Sequence, residues 1–194
     1  SRCENGLVMR EEPDGWCLGD WCAPGGVKLP EPFVNTYYFI KSMEIMLQTG
    51  DILGCQNHRE EISRQLALSK QAFCDAYYDK TSNRFSGSIQ GADGFAADLG
   101  LADDALLRRM REEYDQKGAY DTGIFGTYVL TRTLFAHGFS DTAFRLLTAK
   151  ADSSFYHMKS SGATTLWENW DGRESHDHPM FGAVADCLFE FLLG

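Results

Sequence analysis

The sequence predicts an all-α protein, and three observations point to that class. In one run after another, apolar residues recur at steps of three and four, which places them on one face of a helix. Glycines stand at the joints between these runs, where helices commonly end. No run alternates convincingly between apolar and polar residues, as a strand with one buried face would.

Composition limits the classes of partner. The chain has 194 residues and a mass of 21.8 kDa, and its hydrophobic content of 43% is enough for one domain with a buried core. Its formal charge of -10 comes from 18 basic and 28 acidic residues, so it lacks the basic surface that nucleic-acid binding requires. Since no stretch reaches the ~20 continuous apolar residues of a membrane span, we also expect no membrane partner.

The six cysteines predict free and mostly buried thiols. None of them forms a C-x-x-C pair, and Cys17 and Cys22 lack a second pair of ligands at the spacing of a zinc finger. We therefore expect no zinc site.

Residues 1–32 are predicted to form an irregular loop that leads into the first helix. They are rich in Gly, Pro, Trp and Cys and have no helical or alternating period. Within them lies the segment GWCLGDWCAPGG, residues 15–26, where Asp20 stands beside Trp21.

The first two helical runs of residues 33–194 predict a helical hairpin. Phe33, Tyr37 and Ile40 give the first run its period, and Gly50 follows it as a stop signal. The second run covers about residues 56–78.

Five further runs continue the series. Asp103 is the predicted cap of the fourth run, either Ser140 or Asp141 caps the sixth, and Pro179 stands in the first turn of the last. These five runs cover residues 92–99, 103–114, 122–138, 140–147 and 179–192.

The unusual residues gather in every second joint between helices. GDW precedes the first helix, QGADG the third and YDTGIFGT the fifth, while TLWENWDG and SHDHPMFG precede the last. In a ring of helical hairpins, the loops that enter the inner helices converge on one face. The pattern therefore predicts one site that these loops build together.

The segment GATTLWENWDG, residues 162–172, has the chemistry of a sugar site, because Glu168 stands between Trp167 and Trp170. The C–H faces of a pyranose stack on aromatic rings, and its hydroxyls need carboxylate, amide or imidazole partners. Glycoside hydrolysis also needs carboxylates on either side of one bond. Taken alone, the segment equally allows a surface Glu on a loop whose Trp side chains enter the core.

Four segments in this order resemble the C-terminal half of an α-L-rhamnosidase catalytic domain. They are GDWCAPGG followed by PFVNTYYF, then DTGIFGTYVL, GATTLWENWDG and SHDHPMFGAV, and they span nearly the whole chain. The resemblance implies an (α/α)6 toroid of six helical hairpins, of which residues 1–194 would form a partial ring. It also implies an inverting hydrolase that removes terminal rhamnose from a rhamnose-containing glycoside or oligosaccharide. The resemblance implies no metal ion and no organic cofactor.

The resemblance implies roles for six residues. In this family the Glu of TTxWExW is the general base, and that position here is Glu168. It would take a proton from a water that attacks the anomeric carbon on the face opposite the leaving group. The sugar-binding residues that the resemblance implies are Asp20, Trp21, Trp167, Trp170 and His178.

The same residues also allow structural interpretations. Trp21 could anchor its loop on the core, His178 could cap the last helix, and Asp20 could form the turn of its own loop.

The N-terminal region departs from the family pattern. The family carries its general acid in a motif of the type DCPxRxExxGWxGD, and residues 9–21, MREEPDGWCLGDW, match it only in part. We interpret Glu11 and Glu12 as solvated loop charges, which leaves the chain with a base and no acid. Because half a ring exposes apolar helix faces, we expect the N-terminal half of a parent protein, or self-association, to cover them.

Two other functions stay open at this point. A non-catalytic fragment could bind sugar weakly or serve a structural role, and the missing acid motif favours it. A six-hairpin glycosidase of another sugar specificity is the other, although the pairing of TTLWENWDG with GDW argues against it.

Overall fold

The structure is a computed structural model that describes residues 2–9 and 17–193, with the backbone alone for residues 2–4. The interpretation of Glu11 and Glu12 as solvated charges lies outside the described residues. The chain divides into two compact units. The first comprises residues 1–19 and 29–86, and the second comprises residues 20–28 and 87–194.

The first unit begins with a small hairpin, so the prediction of an irregular loop over residues 1–32 is wrong at this point. Strands β1 (Arg2–Glu4) and β2 (Leu7–Met9) pair antiparallel. Asn5 and Gly6 connect them with φ values of 51° and 88°, both positive, as a tight two-residue hairpin turn requires. The Val8 N–H donates to Thr36 Oγ1 at 2.9 Å, which attaches the hairpin to the first helix.

Two long helices form the rest of this unit and confirm the predicted helical hairpin. They are α1 (Glu31–Leu53) and α2 (Arg59–Tyr77), and the rings of Phe33 and Phe73 meet between them at 4.7 Å. Helix α1 passes through Gly50 and ends at Leu53, and the φ of 66° at the following Gly54 suits a glycine stop. The predicted end at Gly50 is therefore too early. Two short antiparallel strands follow, β3 (Tyr78–Asp79) and β4 (Arg84–Phe85).

The second unit holds six α-helices among its described residues. They are α3 (Ala92–Asp98), α4 (Asp104–Lys117), α5 (Ile124–Ala136), α6 (Ser140–Leu147), α7 (Phe155–Ser160) and α8 (Val184–Leu188). A 3-10 turn (Pro179–Ala183) precedes α8, and a π-helical turn (Phe189–Leu193) follows it, so the last predicted helix is less regular than its period suggests. The all-α fold class is confirmed.

Helix α7 was not predicted. It has six residues, of which only Met158 is buried, so its sequence shows no recurring apolar face. Its start is fixed locally, because the Ser154 side chain accepts a hydrogen bond from the His157 N–H.

Helix α5 lies in the centre of the second unit's core. Nine of its thirteen residues are buried, which makes its N-terminal turn a fixed point on which loops can rest. It packs closely on α3: a methyl group at Gly94 would already touch Leu130 Cδ1 at 3.4 Å, and Thr133 Oγ1 donates to the Gly94 carbonyl.

The thiols differ from the prediction in their burial. None of the five cysteines whose side chains are described forms a disulfide, but only Cys187 is buried and Cys55 is exposed. None of the described helices combines the length and the apolar content that crossing a bilayer requires.

The predicted cap of α4 is confirmed and can be tested. The Asp103 carboxylate accepts a hydrogen bond from the Leu106 N–H at 2.7 Å. We expect Asp103→Ala to lower the free energy of unfolding by about 1 kcal/mol, because it leaves that N–H without its partner. Chemical denaturation measures this loss, with Asp103→Asn as the control, since Asn caps a helix about as well as Asp. An unchanged midpoint in the Ala variant would contradict the assignment.

Candidate active site

Glu168 lies in a loop whose two arms are joined through the backbone. The Glu168 N–H donates to the Ser175 carbonyl at 2.8 Å, and the His178 N–H donates to the Leu166 carbonyl at 2.9 Å. The Thr165 hydroxyl also donates to the His176 carbonyl. These bonds hold the Glu168 and His178 side chains on one side of the loop.

The Glu168 carboxylate brings three of the predicted residues together. The Trp21 Nε1–H donates to Glu168 Oε1 at 3.1 Å, and the Ser175 N–H donates to Glu168 Oε2 at 3.3 Å. The Nδ1 atom of His178 lies 3.6 Å from the same Oε2. Because 18% of the Glu168 side chain and 28% of the His178 side chain are exposed, solvent reaches both groups.

The surroundings of Glu168 favour its ionised form. The Trp21 indole N–H lowers the pKa of the Glu168 carboxyl, and the Ser175 N–H and the electrostatic interaction with His178 act in the same direction. A low pKa keeps Glu168 deprotonated near neutral pH, so it can accept a proton.

Replacing Trp21 with Phe is expected to raise the pKa of Glu168, because the indole donor is the largest cause of its lowering. A carboxyl whose pKa is lowered by folding contributes stability above its unfolded pKa and loses it as pH falls through the folded one. The variant should therefore lose less stability on acidification. Carboxyl 13C NMR titration of Glu168 measures the pKa directly.

The control for that titration is Trp167→Phe, which makes the same change at the residue beside Glu168. The Trp167 indole stacks on the His176 ring at 4.8 Å, and the Trp21 donor is left in place. An equal rise in both variants would contradict the assignment of the shift to Trp21.

Asp20 has no exposed surface, and its carboxylate caps helix α5 from a distant part of the sequence. The Gly123 N–H donates to Asp20 Oδ2 at 2.7 Å, and the Gly126 N–H donates to Oδ1 at 2.8 Å. Burial raises the pKa of the Asp20 carboxyl to about 7, against the lowering effect of these backbone donors. The structure thus places this carboxylate inside the protein, beside the predicted site.

Two glycines of the DTGIFGT segment make room for residues 20 and 21. A methyl group at Gly123 would overlap the carbonyl oxygens of Asp20 and Trp21, and one at Gly126 would lie 2.5 Å from Asp20 Oδ2. The Ile124 N–H donates to the Trp21 carbonyl at 2.8 Å. The sequence marked this segment as unusual but did not show that it packs against residues 20 and 21. Two glycines at the start of a helix are the signal that could have indicated such a close approach.

Trp167 and Trp170 are both buried, with 7% and 4% of their surface exposed. The Trp170 Nε1–H donates to the Thr122 carbonyl at 2.9 Å, and its ring lies 4.1 Å from the Phe181 ring. Most of the surface of both indoles is therefore in contact with other parts of the protein. Their role as walls of a sugar site stays a prediction.

A cavity of ≈ 470 Å³ lies in the second unit and is bordered by Trp170. Its remaining lining residues are Cys22, Ala23, Pro24, Gly25, Asp152, Ser153, His157, Asn169, Asp171 and Arg173. Burial and the nearby charge of Glu168 raise the pKa of the Cys22 thiol to about 12, so it is neutral. Within the described part of the chain, no three His, Cys, Asp or Glu side chains are grouped so that they could hold a metal ion.

The fold places the chain in the all-α class, and its candidate site brings a partly exposed carboxylate beside an indole and an imidazole. The chain belongs to the family described as the bacterial alpha-L-rhamnosidase 6 hairpin glycosidase domain, which matches residues 4–192. The family assignment made from the four sequence segments is confirmed.

Two curated relatives, each named alpha-L-rhamnosidase, come from Streptomyces avermitilis and Formosa agariphila. The first is 25% identical over 93% of this chain, and the second is 25% identical over 83%. The chain spans only 18% and 19% of the length of these relatives.

Solved structures show the same fold. The alpha-L-rhamnosidase from Dictyoglumus thermophilum matches 90% of this chain and 21% of its own, with 25% identity and a TM-score of 0.74. The Streptomyces avermitilis enzyme, complexed with L-rhamnose, matches 96% and 19% of the two chains, with 24% identity and a TM-score of 0.79. The enzyme from Aspergillus terreus matches 95% and 24%, with 19% identity and a TM-score of 0.83.

Proposed function

We propose that this chain carries the general base of a glycoside hydrolase that releases terminal α-L-rhamnose with inversion, and that Glu168 is that base. The observation that carries the proposal is the Glu168 carboxylate itself. It is ionised and partly exposed, and Trp21 fixes one of its oxygens while Ser175 holds the other. Family membership and the names of the relatives support the choice of rhamnose.

In the proposed reaction, a water molecule attacks the anomeric carbon from the face opposite the leaving group. Glu168 takes one proton from that water as the new C–O bond forms and the glycosidic bond breaks. A second carboxyl group, acting as acid, gives its proton to the departing glycosidic oxygen. The product has the opposite anomeric configuration, because the attack and the departure occur on opposite faces.

The acid is proposed to lie outside the described residues of this chain. The family's acid motif, DCPxRxExxGWxGD, is matched only in part by residues 9–21 of this chain. The relatives are several times longer than this chain, which supports a contribution from another segment of a parent protein. The alternative source is a second copy of the chain.

Sugar binding is proposed to involve three of the predicted residues. Trp21 offers a half-buried indole, and His178 offers an imidazole beside the Glu168 carboxylate. Trp170 borders the ≈ 470 Å³ cavity, which is large enough for a sugar ring. Asp20 is proposed to act on the site indirectly, from inside the protein, since its carboxylate has no exposed surface.

The test is hydrolysis of a panel of 4-nitrophenyl glycosides by the 194-residue chain and by the full-length parent protein that contains it. The panel holds α-L-rhamnoside, α-D-mannoside and β-D-glucoside. The proposal expects release of 4-nitrophenol from the rhamnoside above the other two. Turnover of another sugar would assign a different specificity, and binding of rhamnose without turnover by either polypeptide would support the non-catalytic alternative.

A further inference from the structure

The two loops of the candidate site meet at the N-terminal turn of α5. A helix leaves its first N–H groups without partners inside the helix. In α5, Asp20 accepts from Gly123 and Gly126, and the Trp21 carbonyl accepts from Ile124. Residues 20 and 21 therefore occupy the place that a local cap or water would otherwise fill.

The same turn also holds the loop that carries Glu168. The Thr122 carbonyl, one residue before the N-cap Gly123, accepts the Trp170 indole N–H at 2.9 Å. Trp21 is thus attached to residues 122–126 through its own carbonyl, and Glu168 is attached indirectly, through Trp170 two residues further along its loop.

We propose that Asp20 is a positioning residue: by capping α5 from outside the helix, it fixes Trp21 so that the indole N–H meets the Glu168 carboxylate. This inference rests on the proposed function, in which Glu168 is the general base. Asp20 itself touches no substrate, because its carboxylate is fully buried. The glycines at 123 and 126 keep the approach of Asp20 and Trp21 free of side chains.

A comparison with α4 shows why the cap does more than end a helix. Helix α4 is capped by Asp103, three residues before the N–H that it accepts. The N-cap position of helix α5 is Gly123, which has no side chain, and the capping carboxylate comes from Asp20, 103 positions earlier. A local Ser, Thr or Asp could accept from one of these N–H groups. The distant carboxylate also sets the position of the residue that follows it, which is Trp21.

The structural test observes the Trp21 indole N–H by NMR in the 194-residue chain. Trp21→Phe identifies its resonance by removing it. In Asp20→Ala we expect that resonance to shift upfield and its proton to exchange faster with water, because the bond to Glu168 is loosened. Gly126→Ala should shift the same resonance and speed its exchange, since the added methyl group at the start of α5 displaces the Asp20 carboxylate.

The control is Asp103→Ala, which removes a helix cap elsewhere and should leave the Trp21 resonance unchanged. An unmoved resonance in Asp20→Ala and Gly126→Ala would overturn the proposal. If Asp20→Ala does not fold, Asp20→Asn and Gly126→Ala decide it, because Asn keeps one oxygen to accept an N–H.

The kinetic test asks whether Asp20 acts through Trp21. With the active polypeptide, Asp20→Ala should lower kcat roughly tenfold or more, since a small displacement of a catalytic group has effects of that size. In a Trp21→Phe background, the same substitution should change kcat little. Losses that multiply independently would overturn the proposal. If no polypeptide hydrolyses the rhamnoside, the proposed function fails, while the NMR comparison still decides whether Asp20 positions Trp21.

Discussion

Glu168→Gln is expected to lower kcat on 4-nitrophenyl α-L-rhamnoside by roughly 10²- to 10⁴-fold, the usual contribution of a general base. Gln has nearly the shape of Glu, and its amide oxygen can still accept the Trp21 N–H. It cannot take a proton from water, so binding should be kept while turnover is lost. Release of 4-nitrophenol over a range of substrate concentrations separates kcat from KM.

The matched control is Glu174→Gln, which makes the same change in the same loop. Glu174 is exposed, and no catalytic role follows from its position. The kcat of the Glu174→Gln variant should stay within about twofold of that of the unaltered protein, which corresponds to a change of less than about 0.5 kcal/mol in the barrier. A Glu168→Gln variant that keeps full kcat would contradict the assignment of the base.

Trp170→Ala is expected to lower the free energy of unfolding by about 3–5 kcal/mol, as the removal of a large buried aromatic ring commonly does. Its ring packs on Phe181 and lies parallel to Tyr120 at 5.8 Å. The substitution also leaves the Thr122 carbonyl without the indole donor. Chemical denaturation followed by circular dichroism measures the loss.

Trp170→Phe divides this effect into its parts. It keeps a ring in the core and removes the hydrogen bond to Thr122, so a loss of about 1–3 kcal/mol is expected. If Trp170→Ala unfolds at the same denaturant concentration as the unaltered protein and fails only in sugar binding, Trp170 is a wall of the site and not part of the core.

The helices could be predicted from the sequence where their signals are local. The period of Phe33, Tyr37 and Ile40 indicated α1, and the Asp103 cap of α4 lies three residues from its partner N–H. Signals of this kind fail for short elements, because α7 buries only Met158 and strands of three residues give no period. The Asn5–Gly6 turn is the one local sign of the first hairpin.

The candidate site was predictable in its membership and less so in its arrangement. The order of the four segments suggested that Glu168, Trp21 and His178 act together, and the structure brings the side chains of Trp21 and His178 to the Glu168 carboxylate. The burial of Asp20 and of Trp170 could not be read from the sequence, since their partners lie 103 and 48 residues away. Such long-range bonds depend on how the helices pack, which the local pattern does not encode.

The stereochemistry of hydrolysis tests the central claim most directly, because a water that a general base activates to attack the substrate's anomeric carbon in a single displacement inverts its configuration. Proton NMR of the anomeric region, recorded from the first minutes of hydrolysis of an α-L-rhamnoside, shows which anomer of rhamnose is released. The account predicts β-L-rhamnose first, followed by slow conversion to the equilibrium mixture. Initial release of α-L-rhamnose would mean retention through a covalent intermediate, and it would contradict the role proposed for Glu168.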